Sequence, residues 1–317
     1  MRRRRLRRPD DWGAYAYLLP ALLVLALFHL LPIFYSLALS GFEDAAGNMF
    51  AEFVGLQHYW TMLGDRLFWT SMANTVWFVL GTVPLSMAAA LAVALALNTG
   101  VRGLGFYRTV YFLPVVTSAA AVSLVWKWVY HPQRGLLNEM MSWLGLPGQN
   151  WLHEPTGLFA LVAGHFHLTC PDCAAGPSLA MVSIIMMSVW QRLGYNVVIF
   201  LAGLQTIPQE LYEAARIDGA GPVRTFWNVT WPLLSPTTYF VLVMSTISSF
   251  QVFNQVFMLY GSNVTENSRV IVYYLYEKGF HTFQMGYASA LAYVLFLLIM
   301  VMTLVQKRFV GGKVHYA

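Results

Sequence analysis

The chain has 317 residues, of which 58% are hydrophobic and only 10% are charged, whereas soluble proteins carry roughly 25% charged residues. This composition and a mean hydropathy of +0.56 exclude an ordinary soluble protein and predict an integral membrane protein. The formal net charge of +5 does not indicate nucleic-acid binding, because the basic residues gather at the amino end and at the edges of apolar runs.

The amino end, residues 1–14, is basic, with arginines at positions 2–5, 7 and 8. An apolar run from about Tyr15 to Leu39 follows it. A signal peptide has a similar order, but its apolar core covers only about 7–15 residues. Because this run is long enough to cross a bilayer, we predict a retained transmembrane helix.

Five further spans are predicted, which gives an all-α polytopic membrane protein with six transmembrane helices. They run from about Met72 to Leu97, Val110 to Val129, Leu179 to Leu204, Thr237 to Tyr260 and Tyr287 to Leu304. Residues 41–69 form the first external loop, and residues 130–177 form the longest loop. The apolar run from Leu158 to Leu168 within that loop is shorter than the ~17 residues that a crossing needs, so we assign it to the loop.

The positive charges predict the orientation of the spans. With six crossings and the amino end inside, the cytoplasmic side holds the amino-terminal arginines together with Arg102, Arg108, Arg216, Arg224, Lys307, Arg308 and Lys313. The outer side holds Arg66, Lys127, Arg134, Arg269 and Lys278. Since cytoplasmic loops carry an excess of Lys and Arg, we expect both termini to be cytoplasmic.

The loop between the fourth and fifth spans, residues 206–236, is the longest stretch rich in polar, Gly and Pro residues between two spans. Thr206 and Gln209 have the spacing of a capping box, which predicts a helix start. Gly219 can take the left-handed conformation that ends a helix, and Gly221-Pro222 can begin the next one. The pattern predicts two short helices with a break, outside the hydrocarbon, where a partner protein can dock.

This loop resembles a known family motif. Glu213-Ala214-Ala215, Asp218-Gly219-Ala220, Phe226, Pro232 and Pro236 resemble the EAA loop of permease subunits of ABC importers. Other segments are similar to the sugar-permease branch of the MalF/UgpA type, namely Trp190-Gln191, Gly194-Tyr195-Asn196, Phe250-Gln251-Val252-Phe253 and Met285-Gly286-Tyr287-Ala288. The chain departs from the pattern at Trp231, where the family usually has an aliphatic residue, and at residues 157–176, which look like an insertion.

The resemblance implies a type I ABC importer permease fold in the cell inner membrane, with residues 15–317 as one six-helix permease domain. It implies a second permease subunit, two ATPase subunits and an extracytoplasmic solute-binding protein. The solute would be a sugar or a related compound such as glycerol 3-phosphate. The residues that couple the chain to the ATPase would be Glu213, Ala214, Ala215, Asp218, Gly219 and Ala220.

Motifs for enzymatic chemistry are missing from the sequence. It contains no G-x-x-x-x-G-K-[ST], so any ATP and Mg²⁺ would be bound by a partner ATPase, and no G-x-S-x-G or H-E-x-x-H. We therefore predict a transport subunit that is not an enzyme and needs no cofactor of its own. Two alternatives stay open: a secondary transporter driven by an ion gradient, which would favour intramembrane acidic residues and inverted repeats, and a membrane scaffold that docks a partner without moving solute.

Two groups of polar residues lie within the predicted spans. Ser248, Gln251 and Gln255 are spaced i, i+3, i+7 with Asn254 beside them, so they would share one side of the fifth helix. Arg192 and Asn196 lie in the fourth span. Such residues either line a substrate pathway or bond neighbouring helices together.

One constellation has metal-ligand residue types, His165-x-His167-x-x-Cys170-x-x-Cys173. Two imidazoles and two thiols are suitable zinc ligands, but this spacing is not that of the usual zinc sites. A local disulfide and two unpaired thiols are the alternatives. We assign no metal and keep these four residues as a weak candidate.

Overall fold

The computed structural model describes residues 11–45, 48–98, 103–165 and 176–313. This part of the chain is helical apart from one two-stranded hairpin. It divides into two compact units. The first unit contains the described residues up to Gly64 together with Leu275–Val294, and the second contains Asp65–Tyr274 together with the described residues from Leu295 onward.

The described residues contain four helices that are long and apolar enough to cross a membrane alone: Tyr15–Leu39, Arg66–Leu97, Leu179–Gln205 and Met285–Phe309. Two bent helix pairs bring the number to six if each pair makes one crossing, Gly105–Val116 with Ala119–Val129 and Pro222–Leu233 with Ser235–Phe250. The predicted all-α architecture is therefore confirmed, and these helices provide four to six crossings, a range that includes the predicted six.

The first span begins the first unit and agrees with its predicted boundaries. It consists of α1 (Asp11–Leu25), a π-helical turn at Ala26–Leu30 and α2 (Leu31–Leu39). Pro32 lies in the first turn of α2 and has no N–H to donate to the preceding turn, which is a common cause of such local irregularity.

A β-hairpin follows this span where the sequence predicted only a loop. Strand β1 (Phe42–Ala45) pairs antiparallel with β2 (Asn48–Phe53). The ring of Phe50 lies 5.0 Å from that of Phe42 and 5.5 Å from that of Tyr35 in α2, between ring centroids. These aromatic contacts attach the hairpin to the end of the first span.

The start of the last span completes the first unit. Helix α3 (Gln57–Gly64) follows the hairpin, and the last long helix, Met285–Phe309, begins with the Met285-Gly286-Tyr287-Ala288 motif. A Cβ at Gly286 would lie 2.1 Å from the Phe42 carbonyl oxygen and 2.8 Å from His58 Nε2. Glycine is needed there because the hairpin and α3 approach the backbone too closely for any side chain.

Two long helices form the centre of the second unit, α4 (Arg66–Leu97) and the helix Leu179–Gln205. Phe78, Ala90 and Ala94 of α4 are fully buried. A Cβ at Gly81 would lie 2.7 Å from the Ile185 side chain, and one at Gly194 would lie 2.1 Å from the Tyr111 carbonyl oxygen. Small residues thus allow close helix packing, as membrane bundles require.

The third span is not the single helix that we predicted from Val110 to Val129. Helix α5 (Leu104–Val116) ends at Thr117, and α6 (Ala119–Val129) begins after Ser118. The backbone of Ser118 is extended, and its side-chain oxygen accepts a hydrogen bond from the Ala121 N–H at 3.3 Å. Ser118 therefore caps a new helix inside the span.

Asn138, in α7 (Leu136–Trp143), organises the long loop that follows α6. Its amide nitrogen donates to the carbonyl oxygens of Pro132 and Gln149, and its oxygen accepts from the Gln149 N–H and the Trp151 indole.

Tyr130, at the start of the long loop, donates its hydroxyl to the Ser183 carbonyl oxygen at 2.7 Å. Burial, with a smaller contribution from Tyr260, raises the pKa of Tyr130 far above its ordinary value, so the phenol stays protonated and keeps this bond.

The segment that looked like an insertion leaves and re-enters the loop at one place. Gly157 and Ser178 form an isolated antiparallel bridge, and the Leu158 N–H donates to the Pro177 carbonyl oxygen at 2.8 Å. Between them lies α8 (Leu158–His165), and the rest of the apolar run, residues 166–168, lies outside the described residues. Because the two ends of the segment meet at this bridge, they lie on the same side of the membrane, as our assignment of the run to the loop requires.

Candidate functional site

The predicted docking loop follows the long helix α9 (Leu179–Gln205). It contains α10 (Gln209–Ile217), α11 (Pro222–Thr225), a π-helical turn at Phe226–Thr230 and α12 (Trp231–Leu233). Gly221 precedes α11 and Pro222 is its first residue. The prediction of two short helices separated by a break is confirmed.

Gly219 ends α10 in the predicted left-handed conformation, with φ of +73°. The Gly219 N–H donates to the Arg216 carbonyl oxygen at 3.0 Å, and the Ala220 N–H donates to that of Ala215 at 2.9 Å. These two bonds form a Schellman motif, which satisfies the carbonyls left open at a helix end. No atom lies within 4 Å of a Cβ built at Gly219, so the backbone conformation, not space, requires glycine.

The predicted capping box at the start of α10 is wrong. The residue before α10 is Pro208, and no side chain caps the helix. The Thr206 hydroxyl instead donates to the Gly203 carbonyl oxygen at 2.7 Å. The hydroxyl thus bonds back to the end of α9, where the last carbonyls lack partners within their own helix.

α10 has no buried residue. Its anchors are Ile207 just before it, in one buried cluster with Leu204 and Leu234, and Tyr212, whose hydroxyl lies 3.3 Å from Thr230 Oγ1. Ile217 is 87% exposed. The six residues that we predicted to couple the chain to an ATPase lie together in the segment from Ile207 to Pro222, which we name the elbow. Glu213, Ala214, Asp218 and Gly219 are exposed there, and Ala215 and Ala220 are half-buried.

Glu213 makes no ion pair with Arg216. One salt bridge within 4 Å in the described part of the chain joins Arg66 to Glu266 instead. The Glu213 carboxylate is exposed and remains available to a partner.

Trp231, the departure from the family pattern, packs within an aromatic cluster. Its ring centroid lies 6.0 Å from that of Trp227 and 6.1 Å from that of Phe226, and the rings of Phe226 and Trp227 are 5.2 Å apart. The tryptophan therefore replaces an aliphatic contact with aromatic ones at the end of the docking loop.

The fifth span is interrupted where we predicted one continuous helix. Helix α13 (Ser235–Phe250) ends at Gln251, and α14 (Asn254–Tyr260) begins after Phe253, whose backbone is non-helical. Ser248 therefore lies on α13, Gln251 in the break, and Asn254 and Gln255 on α14. The predicted single polar side of one helix is wrong, and the break opens backbone groups that a continuous helix would satisfy.

Arg192 of α9 binds the last turn of α13. Its Nη1 donates to the hydroxyls of Ser248 at 2.7 Å and Ser249 at 3.1 Å, and its Nη2 donates to the Ser248 carbonyl oxygen at 3.0 Å. The guanidinium thus bonds a carbonyl that the break leaves without an intrahelical donor. A cation is also favoured at a helix carboxyl end. Three hydrogen bonds hold the charge, all to neutral groups.

A second contact joins α9 to α14, on the other side of the break, because Gln255 Nε2 donates to Gln191 Oε1 at 3.1 Å. Sequence reasoning missed Gln191 as a polar partner, although it is adjacent to Arg192. Ser248, Gln251 and Asn254 are exposed in this chain. The structure therefore brings two of the predicted pathway residues, Arg192 and Ser248, into contact. It joins a third, Gln255, to Gln191.

Asn196 does not belong to this group. Its side chain is 3% exposed, and its Nδ2 atom has no hydrogen-bond partner. It lies in the packed interior of the second unit rather than with the exposed polar residues around the break.

Aromatic side chains lie at and beside the break between α13 and α14. Phe253 stacks on Phe257 with ring centroids 5.2 Å apart and an interplanar angle of 20°. Phe250 is buried at 3% exposure, whereas Trp190 of α9 is 41% exposed. Trp190 therefore presents an exposed aromatic ring two residues before Arg192. The sequence analysis named it only as part of a motif.

The histidine and cysteine constellation lies mostly outside the described residues. This applies to His167, Cys170 and Cys173 and to the side chain of His165. Across the ranges that are described, the structure has no group of three His, Cys, Asp or Glu side chains able to hold a metal ion. The constellation stays a weak candidate.

Comparison with known proteins adds independent findings. The chain is 32% identical to the probable ABC transporter permease protein YurN of Bacillus subtilis (strain 168), over 93% of this chain and 94% of YurN. It is 31% identical to the sn-glycerol-3-phosphate transport system permease protein UgpA of Agrobacterium fabrum (strain C58 / ATCC 33970), over 97% and 98% of the two chains.

Similarity to solved structures supports the fold. A chain in the crystal structure of a bacterial ABC transporter involved in the import of the acidic polysaccharide alginate matches with a TM-score of 0.76, at 22% identity, over 95% of this chain and 96% of that one. A family model described as binding-protein-dependent transport system inner membrane component matches residues 88–312. The chain belongs to this family of transport permeases.

Proposed function

We propose that this chain is one of two permease subunits in an ATP-driven importer of a sugar or a sugar-related solute, and that α10 docks on a separate ATPase. The observation that carries this proposal is the elbow itself. A nine-residue helix between two spans has no buried residue and ends in a Schellman motif at Gly219. A folded helix that exposes Leu211 and Ile217 needs a partner surface.

The elbow packs against two membrane helices, so a displacement of α10 would also displace α9 and α13. Ile207, before α10, packs in one cluster with Val197 and Phe200 of α9 and Val241 of α13. Arg192 joins the same two helices further along. Closure of the ATPases would therefore shift α9 and α13 as packed elements, because close-packed interiors transmit displacement instead of absorbing it.

The polar groups around the break suit a solute with hydroxyl groups. Ser248, Gln251 and Asn254 are exposed, and polar side chains within a span usually face a cavity rather than lipid. The Arg192 charge, held by neutral groups, favours a solute that also carries an anionic group. Glycerol 3-phosphate has both features, and it is named for the UgpA relative at 31% identity.

The remaining partners follow from the same assignment. Two ATPase subunits would bind ATP and Mg²⁺ on the cytoplasmic side, a second permease chain would complete the pathway, and a solute-binding protein would deliver the solute from outside. The chain would lie in the cytoplasmic membrane with both termini inside, as the distribution of Lys and Arg predicts.

Cysteine labelling tests docking and orientation together. In a Cys170→Ser/Cys173→Ser background, Ile217→Cys introduces a thiol at the elbow, and Trp143→Cys, at a position that is 77% exposed, introduces a matched thiol in the long loop. In right-side-out vesicles, an impermeant maleimide should label position 143 and not 217. In inside-out vesicles, it should label 217 only after the ATPase has been stripped off.

Labelling of position 217 from outside would contradict the orientation. Equal labelling of position 217 with and without the ATPase would contradict docking. Transport of candidate solutes by the reconstituted complex, with and without ATP, would then identify the solute.

A further inference from the structure

Two hydrogen-bonding side chains of helix α3, His58 and Tyr59, contact the rest of the first unit. The His58 ring Nε2 lies 2.9 Å from the Phe42 carbonyl oxygen, and the Tyr59 hydroxyl lies 3.0 Å from Ser40 Oγ. Met62 completes this packed side at 2% exposure.

The accessible surface of α3 divides into two strips of different chemistry. Leu56, immediately before the helix, and Trp60 are 67% and 71% exposed, and Leu63 is 55% exposed. Their i, i+4, i+7 spacing places them on one strip. Gln57 and Thr61 are also exposed and lie about 100° around the helix from Leu56 and Trp60 respectively. One accessible strip is therefore apolar, and the other is polar.

Contacts within the first unit fix the level of α3 relative to the membrane. Ser40, the partner of Tyr59, directly follows the last residue of the first span. The His58 ring lies 6.1 Å from that of Tyr287, in the first turn of the last long helix, Met285–Phe309. α3 therefore lies where two spans end, at the boundary between hydrocarbon and headgroups.

We propose that α3 is an interfacial helix that lies along the membrane surface, with Leu56, Trp60 and Leu63 among the lipid acyl chains and Gln57 and Thr61 toward water. The helix has no charged residue, and tryptophan is enriched at this depth of a bilayer. The first span also exposes large apolar side chains, with Phe34 66% and Leu37 47% exposed. The inference is independent of the transported solute.

Two adjacent positions provide a matched test. Leu56→Cys and Gln57→Cys, each in the Cys170→Ser/Cys173→Ser background, are labelled with a nitroxide in the assembled transporter and reconstituted in phosphatidylethanolamine/phosphatidylglycerol vesicles. Collision rates with oxygen, which concentrates in lipid, and with a water-soluble nickel chelate are measured by electron paramagnetic resonance. The ratio of oxygen to nickel collisions should be several-fold higher at position 56 than at 57.

Equal ratios at the two positions would overturn the proposal. A label at position 56 that collides with neither reagent would also overturn it, since a protein partner would then cover the strip. Transport by both labelled variants is measured in the same vesicles to establish that they are folded. As a second measurement, a lipid-phase quencher should reduce the fluorescence of a dye at position 56 more than that of the same dye at 57.

Discussion

The α10 elbow and the break in the fifth span are both interruptions of helix, but they arise in different ways. In the elbow, the helical path of α10 ends at Gly219, whose φ of +73° is available to glycine at little cost. The next helix begins at Gly221-Pro222. Its geometry is encoded by residues within the loop. The break between α13 and α14 contains neither Gly nor Pro and is held by Arg192, which lies 56 residues before Ser248 in the chain.

The elbow is thus stabilised by its own residues, whereas the break depends on contacts with a neighbouring helix. The elbow should keep its shape when the bundle moves, as a part that transmits force must. The break should respond to any movement of α9 relative to α13 or α14, because the contacts that stabilise it join α9 to the helices on both sides of the break. Substitutions at the two places should therefore have different signatures.

The largest effect is expected from Arg192→Leu. It removes three hydrogen bonds from a guanidinium to α13, and hydrogen bonds to charged groups contribute about 1.5–3 kcal/mol each. We expect a lower thermal unfolding temperature of the purified complex and a severalfold loss of uptake, because α13 loses the group that joins its carboxyl end to α9.

Two variants control for this effect. Arg192→Lys keeps the charge but loses the planar fork that reaches two groups at once, so it should fall between wild type and Arg192→Leu. Ser248→Ala removes one hydroxyl and leaves the carbonyl contact, so it should cost less than either. If Arg192→Leu unfolds and transports as wild type does, the break does not depend on Arg192.

A smaller effect, on transport but not on the unfolding temperature, is expected from Gly219→Val. A non-glycine residue in the left-handed conformation costs about 1–2 kcal/mol, and this strain falls on the exposed elbow, not on the bundle. The unfolding temperature should stay near that of wild type, while uptake falls and ATP hydrolysis becomes independent of solute. Gly219→Asn is the matched control, since asparagine tolerates this conformation, and it should retain coupled transport.

The same contrast between local and long-range contacts explains which features could be predicted from the sequence. The elbow was predictable because glycine, proline and the alanine pair act within a few residues, and the spans were predictable from apolar length. The break was not, because Ser248 to Gln255 keeps helical spacing and only the structure brings Arg192 to it. The β-hairpin was missed for a similar reason, since Phe50 is positioned by a contact with Tyr35 of the first span.

The smallest effect concerns Thr206, where the sequence pattern and the structure disagree. A threonine that caps a helix typically contributes about 1 kcal/mol, but the Thr206 hydroxyl donates back to Gly203, and α10 has no side-chain cap. Thr206→Ala should therefore lower the free energy of unfolding by only a few tenths of a kcal/mol. Ser118→Ala, which removes a cap that is present in α6, should lower it more. Unfolding of both purified variants in the same detergent compares them directly, and a larger loss for Thr206→Ala would mean that the capping box forms after all.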